Sequence, residues 1–122
     1  MNAAFQGVLL DTNSLIYSLK NRVDIRKILN GKFNIFKIAV PDCVIHELEN
    51  LSSSVPYARG ALQLSKRFER ISVHGHGDNC IIDTAQETGM AVLTNDRLLL
   101  GRLRQAGVIC LTIKGERDII SL

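Results

Sequence analysis

The chain reads as a three-layer α/β fold: a mostly parallel five-stranded sheet in the order 3-2-1-4-5, with helices on both faces. Three observations predict it. First, short aliphatic runs recur at residues 8–10, 37–40, 71–73, 90–94 and 108–111. Runs that short, with no polar alternation, suit strands buried on both faces. Second, stretches with helical spacing separate the runs, and alternation of strands with helices is the signature of a parallel sheet. Third, hydrophobic residues make up 46% of the chain but aromatics only 5%, so aliphatic side chains must fill the core.

The first strand, Gly7-Val8-Leu9-Leu10, runs directly into Asp11. Thr12, Asn13 or Ser14 can cap the helix that follows, in which Leu15, Ile16 and Leu19 fall at helical spacing. A second helical piece carries Val23, Ile25, Ile28 and Leu29 and ends at Asn30-Gly31, a stop signal. Strand 2 covers Lys37 to Val40, with a start as early as Phe33 open, and Pro41-Asp42 then interrupts the chain. Asp42 is an expected N-cap for a helix from Cys43 to about Leu51. Ser52-Ser53-Ser54-Val55-Pro56 is a turn, and a helix from Tyr57 to Arg70 follows. Ile71-Ser72-Val73 is strand 3, and His74-Gly75-His76-Gly77 a flexible turn. A helix from Asp78 to about Thr88 stops at Gly89. Strand 4 is Met90 to Thr94; Asn95-Asp96 leads into a helix reaching Ala106-Gly107. Strand 5 is Val108 to Leu111, and Ile119 and Ile120 can add a short edge strand.

At 122 residues the length prior gives one domain spanning 1–122, large enough to bury a core without metal or disulfide staples. The net charge of +3 is compatible with an anionic partner without requiring one. The three cysteines, Cys43, Cys80 and Cys110, form no C-x-x-C pair. They read as reduced, buried small hydrophobes rather than a disulfide framework or zinc knuckle. No apolar run approaches the roughly 18 residues of a membrane span. The first residues lack the charged and apolar regions of a signal peptide. A cytoplasmic protein is expected.

Right-handed crossovers limit the topologies. The order 3-2-1-4-5 sets strands 1 and 4 side by side at the switch point, outside whose carboxyl ends ligands collect. Asp11 ends strand 1 and Asp96 follows strand 4. Asp78 opens the helix after strand 3. The helix after strand 2 offers Glu47 on one flank of its buried face and Glu49 on the other, and periodicity does not choose between them. Each acid alone has a plain explanation as a helix cap or a solvated residue. Together they place a carboxylate after each of strands 1 to 4. Carboxylates gathered in one cleft repel each other, and a divalent cation offsets that. Oxygen donors without Cys or His at ligand spacing indicate Mg²⁺ or Mn²⁺ rather than zinc. Such a site suits phosphodiester hydrolysis.

Four segments also carry a family resemblance: Val8-Leu9-Leu10-Asp11-Thr12-Asn13, the stretch from Val40 to Leu51, Gly77-Asp78-Asn79-Cys80-Ile81-Ile82-Asp83-Thr84-Ala85, and Val92-Leu93-Thr94-Asn95-Asp96-Arg97 with its continuation to Val108. In order and spacing they resemble PIN-domain nucleases across nearly the whole chain. The segment from Asp42 to Leu51, with Lys114-Gly115, is most similar to the branch related to small-subunit ribosomal-RNA processing factors. The resemblance implies a PIN-like fold and a Mg²⁺- or Mn²⁺-dependent endoribonuclease acting in ribosomal-RNA processing. It implies Asp11, Glu47, Asp78 and Asp96 as the catalytic, metal-binding quartet, favours Glu47 over Glu49, and puts Asn13 and Thr94 behind them as supporting polar groups. The branch often has a second acid where this chain has Asn79; Asp83, a little over one turn later, can contribute as a supporting residue in its place or simply belong to a solvated helix face. RNA, a second copy of the chain and ribosome-assembly factors are the partners it implies.

Arg97, beside Asp96, is the expected RNA contact. Lys66, Arg67, Arg70, Arg102 and Arg104 can steer phosphate toward the acids or simply be solvated. His74 and His76 have the wrong spacing for a metal pair on one helix face, and His46 points away from Glu47's side of its helix. Two alternatives stand beside the nuclease: a non-catalytic RNA-binding PIN scaffold, and a ribonuclease toxin of a toxin–antitoxin pair. Phosphatase and receiver-like readings fit poorly, since their second acids are missing.

Overall fold

The computed structural model describes residues 5–73, 77–115 and 117–122; of Gly77 and Asp78 it describes the backbone. His74 and His76 lie outside the described residues. The elements run β1 (Gly7–Leu10), α1 (Thr12–Asn21), α2 (Ile25–Phe33), β2 (Lys37–Pro41), α3 (Asp42–Leu51), α4 (Ala58–Ser65), β3 (Glu69–Ile71), α5 (Gly77–Thr88), β4 (Ala91–Leu93), α6 (Arg97–Gln105), β5 (Cys110–Lys114) and β6 (Asp118–Ser121).

The strands form one sheet in the order β3-β2-β1-β4-β5-β6. β1 is parallel to both neighbours, with Leu9 opposite Ala39 of β2 and Val92 of β4. The predicted order therefore holds, and β6 extends it: this last strand is antiparallel to β5, Thr112 facing Ile120. Lys32 on α2 fixes β6 from outside, donating to the Asp118 carboxylate at 3.2 Å and to the Ile119 carbonyl at 2.7 Å. All four β1 residues are buried, and Val8, Leu9 and Leu10 with Val92, Leu93 and Leu111 are shut off from solvent. Each such side chain contributes about 1.5–3 kcal/mol. That explains why the central strands are unbroken aliphatic runs.

Several boundaries differ from expectation for identifiable reasons. α2 continues past Asn30-Gly31 to Phe33 and stops where Asn34 turns left-handed at φ 56°, a conformation Asn tolerates. β3 lies two residues before the apolar Ile71-Ser72-Val73 run, because Ala39 and Val40 pair with Glu69 and Arg70. As an edge strand it buries little, so its polar residues misdirect a hydrophobicity reading. α6 closes with Gly107 at φ +78°, the Gly107 and Val108 amides donating back to the carbonyls of Arg104 and Leu103. That pair of bonds is a Schellman closure. It uses Val108 in the turn and delays β5 to Cys110.

The cysteine expectation is overturned. Cys43 on α3 and Cys80 on α5 are joined by a disulfide, with Cα atoms 6.6 Å apart and a sequence separation of 37; Cys110 is free and buried. Sequence spacing gave no sign of the pair, because packing of α3 against α5 creates the proximity.

Candidate functional site

The carboxyl ends of β1 and β4 lie side by side, Leu10 opposite Leu93. Just beyond them is a pocket of about 280 Å³. Asp11, Glu47 and Asp96 all line it, with Thr12 and Asn13 from the first turn of α1. Its apolar walls include Ile16, Val44, Leu51, Ile81 and Leu99.

Asp11 is the most constrained of the acids, only 5% exposed. It caps α1 itself, where Thr12, Asn13 or Ser14 was expected to do so: its Oδ1 accepts from the Ser14 amide at 2.7 Å. The Ser14 hydroxyl donates to the Asp11 carbonyl at 3.0 Å. The second carboxylate oxygen accepts from the Thr94 hydroxyl. Burial pushes the Asp11 carboxyl up from 3.8 to about 6; the Thr94 and Ser14 hydrogen bonds pull the other way, and the charge of Asp96 adds to the rise. Desolvation outweighs the Thr94 and Ser14 hydrogen bonds because a carboxylate removed from water loses far more than neutral donors restore.

Thr94, fully buried, links the two strand ends. While donating to Asp11 it accepts from the Asp96 amide at 3.1 Å. Asp96 in turn caps α6, its Oδ1 accepting from the amides of Leu98 at 2.9 Å and Leu99 at 3.2 Å. Asp11 and Asp96 thus each hold a helix N-terminus and face the pocket. For these two acids the structural explanation and the chemical one coexist.

On α3 the geometry separates the two glutamates that periodicity left equal. Both are exposed, but Glu47 lines the pocket and Glu49 is not among the lining residues. Asp42 does not cap α3. Pro41 occupies the cap position and Asp42 the first turn, where the Arg70 guanidinium pairs with it and holds its carboxyl below the usual range. Arg70, among the expected phosphate-steering residues, is therefore engaged across to α3. His46 is exposed, as expected.

Asp78 is the second residue of α5, but its side chain lies outside the described residues. Asp83 is exposed further along α5 and absent from the pocket wall. Asn79 accepts from the Arg102 guanidinium at 2.7 Å, which ties the first turn of α5 to α6. Arg97 is exposed at the first position of α6, beside Asp96. Sequence reasoning missed the disulfide, whose Cys43 also lines the pocket. Both cysteines follow strands 2 and 3, as the acids do, but that placement by itself names no pairing.

The free donor set facing the pocket consists of hard oxygens, since the Cys43 sulfur is held in its disulfide. Among the described residues no three His, Cys, Asp or Glu side chains converge tightly enough to enclose an ion. Asp11 and Asp96 face it from beyond the ends of β1 and β4, with Glu47 on the α3 side.

A parallel sheet that brings distant carboxylates to one pocket at its switch point defines an α/β protein with an acidic site. The chain belongs to the PIN like domain family, whose model matches residues 8–116. It is 31% identical to ribonuclease VapC9 of Archaeoglobus fulgidus, over 97% of this chain and 90% of that protein. It is 32% identical to the rRNA-processing protein FCF1 of Saccharomyces cerevisiae over 93% of this chain, but spans only 62% of FCF1. Among solved structures, that of the PIN domain endonuclease Utp24 matches with a TM-score of 0.83 and 28% identity, covering 98% of this chain and 92% of that one. Among the described residues no helix is long and apolar enough to cross a membrane.

Proposed function

We propose that this chain is a metal-dependent endoribonuclease that hydrolyses RNA phosphodiester bonds, with ribosomal-RNA processing as its setting. The observation that carries the reading is the buried Asp11 carboxylate, raised to about 6, in one pocket with Asp96 and Glu47. A buried acid with a second carboxylate beside it is poorly placed for itself and well placed for a cation. The all-oxygen donor set fits Mg²⁺ or Mn²⁺. Magnesium keeps several waters and takes one or two protein carboxylates, so the absence of a tight three-residue cage among the described side chains is compatible with it. Asp11 and Asp96 would hold the ion, with Glu47 beside them; Asp78 is the fourth acid that the family resemblance implies. When bound, the ion supplies Lewis-acid polarisation of the phosphodiester and a more acidic water.

The chain's own residues do the rest. Thr94 and Ser14 fix the Asp11 carboxylate, so that its position costs no reorganisation when substrate arrives. The α6 cap holds Asp96 rigid in the same way. Asn13 presents an amide at the pocket wall, and Ile16, Val44 and Leu99 limit bulk water there. Arg97 lies exposed beside Asp96, able to take a substrate phosphate by charge-assisted hydrogen bonds. The names of the relatives support the substrate class: one is a ribonuclease, another an rRNA-processing protein, and the structural neighbour an endonuclease. Structured RNA incubated with protein and Mn²⁺ tests the reading. Internal cleavage by wild type, lost in Asp11→Asn while RNA binding persists, is the expected result. Binding without cleavage in either divalent ion makes the domain an RNA-binding scaffold instead.

A further inference from the structure

From the placement of the Cys43–Cys80 disulfide we infer that it is a positioning crosslink for the acidic pocket: oxidised, it holds α3 and α5 in the ion-binding arrangement, and its reduction weakens that site. The inference rests on the metal-dependent reading above. Cys43 and Glu47 are four residues apart on α3, hence on one face, and both line the pocket. Cys80 lies two residues after Asp78 on α5 and directly before Ile81, which lines the same pocket. The bond therefore ties the helix bearing Glu47 to α5. The loop between them holds α4 and β3, so no shorter covalent path keeps α3 and α5 together. The Arg102–Asn79 hydrogen bond secures the other side of α5.

The two sulfurs differ in access. Cys80 is fully buried, whereas Cys43 is half-buried and faces the pocket. An external dithiol must therefore attack Cys43 from within the pocket. Its thiolate bonds to the Cys43 sulfur, the Cys43–Cys80 bond breaks, and Cys80 leaves with the electron pair and takes up a proton. The reagent's second thiol then displaces Cys43, which is likewise protonated. Two electrons and two protons pass to the protein, and the dithiol becomes a disulfide. An occupant of the pocket stands in that path and should slow the exchange; separately, a crosslink that holds the ion-binding arrangement makes ion affinity differ between the two redox states. Equilibrium linkage requires the reduced protein to bind the ion more weakly by the same factor that the ion shifts the disulfide equilibrium.

The test uses the full chain purified without reductant. Maleimide tagging of the denatured protein counts its free thiols: one, from Cys110, is expected before dithiothreitol and three after. Mn²⁺ binding is then measured by electron paramagnetic resonance on oxidised protein and on reduced protein freed of dithiothreitol. The expected results are an affinity about 5-fold or more higher when oxidised, and slower reduction when Mn²⁺ saturates the protein. Cys80→Ala and Cys43→Ser, two independent removals of the bond, should each bind Mn²⁺ like the reduced protein, whereas Cys110→Ala should behave like wild type. Asp11→Asn should lose Mn²⁺ binding yet keep one free thiol. Equal affinity in the two redox states overturns the crosslink's role and leaves the metal reading intact. Three free thiols before reduction also overturn it. Failure of both redox states to bind Mn²⁺ overturns the metal reading, and this inference with it.

Discussion

Replacing Asp11 by Asn should stabilise the metal-free protein at neutral pH. The carboxyl is raised from 3.8 to about 6 in the folded state. A shift of roughly two units corresponds to about 3 kcal/mol of native-state cost once the group is ionised. Between about pH 4 and 6 the native state keeps a proton that the unfolded chain has lost. Stability therefore falls as pH rises through that window and is level above it. Asn carries no charge to desolvate. Its oxygen can still accept from the Ser14 amide, and its NH₂ can meet the Thr94 hydroxyl. Losing the charge-assisted character of those bonds costs about 1 kcal/mol. The net gain expected is about 1–2 kcal/mol at pH 7.5, a rise in melting temperature of about 3–8 °C for a domain of this size. At pH 4.5 wild-type Asp11 is already largely protonated when folded, and the gain should shrink toward zero. Thermal unfolding followed by circular dichroism in a chelator, at both pH values, measures it. An Asn variant less stable than wild type at pH 7.5, or a difference that ignores pH, refutes the reasoning that burial dominates at this acid. Added Mn²⁺ should reverse the order, raising the wild-type midpoint by ligand linkage and leaving the variant's unchanged.

Three further outcomes follow from the same geometry. Thr94→Val removes the hydroxyl that joins Asp11 to the Asp96 amide; a loss of about 1–3 kcal/mol in chemical denaturation and weaker Mn²⁺ binding are expected, and undiminished Mn²⁺ affinity would dismiss Thr94 as a positioning group. At Asp96 two substitutions divide cap from charge: Asn should keep the bonds to Leu98 and Leu99 and near-native stability but lose cleavage, while Ala should lose cleavage and about 1 kcal/mol as well. Arg97→Ala should weaken RNA binding at low salt and reduce the slope of log affinity against log salt by about one, with little change in melting temperature because the side chain is exposed.

The order of the sheet was readable because the central strands are buried on both faces, and burial writes itself into composition: Val8-Leu9-Leu10 and Ala91-Val92-Leu93 have no polar member. The edges were read less well. β3 is Glu-Arg-Ile and mostly exposed, so the backbone pairing that defines it leaves no apolar trace. At the site, Asp11 and Asp96 were legible as acids at strand ends. Their second task as helix caps was weighed for each as an alternative, and both descriptions hold at once. Periodicity left Glu47 and Glu49 tied, since a helical wheel gives angles about an axis but not what stands opposite; only the family resemblance favoured Glu47.

Local rules were enough for the alternation of strands and helices, the crossover handedness and the edge of the sheet on which the acids fall, because each depends on residues close together in the chain. Three features depended on contacts between distant segments: the desolvation of Asp11 between β1 and β4, the choice of Glu47 for the pocket wall, and the covalent meeting of Cys43 with Cys80. Burial and proximity are properties of what packs against a residue. No window of sequence contains the partner 37 or 83 positions away, and only the closed three-dimensional arrangement supplies it.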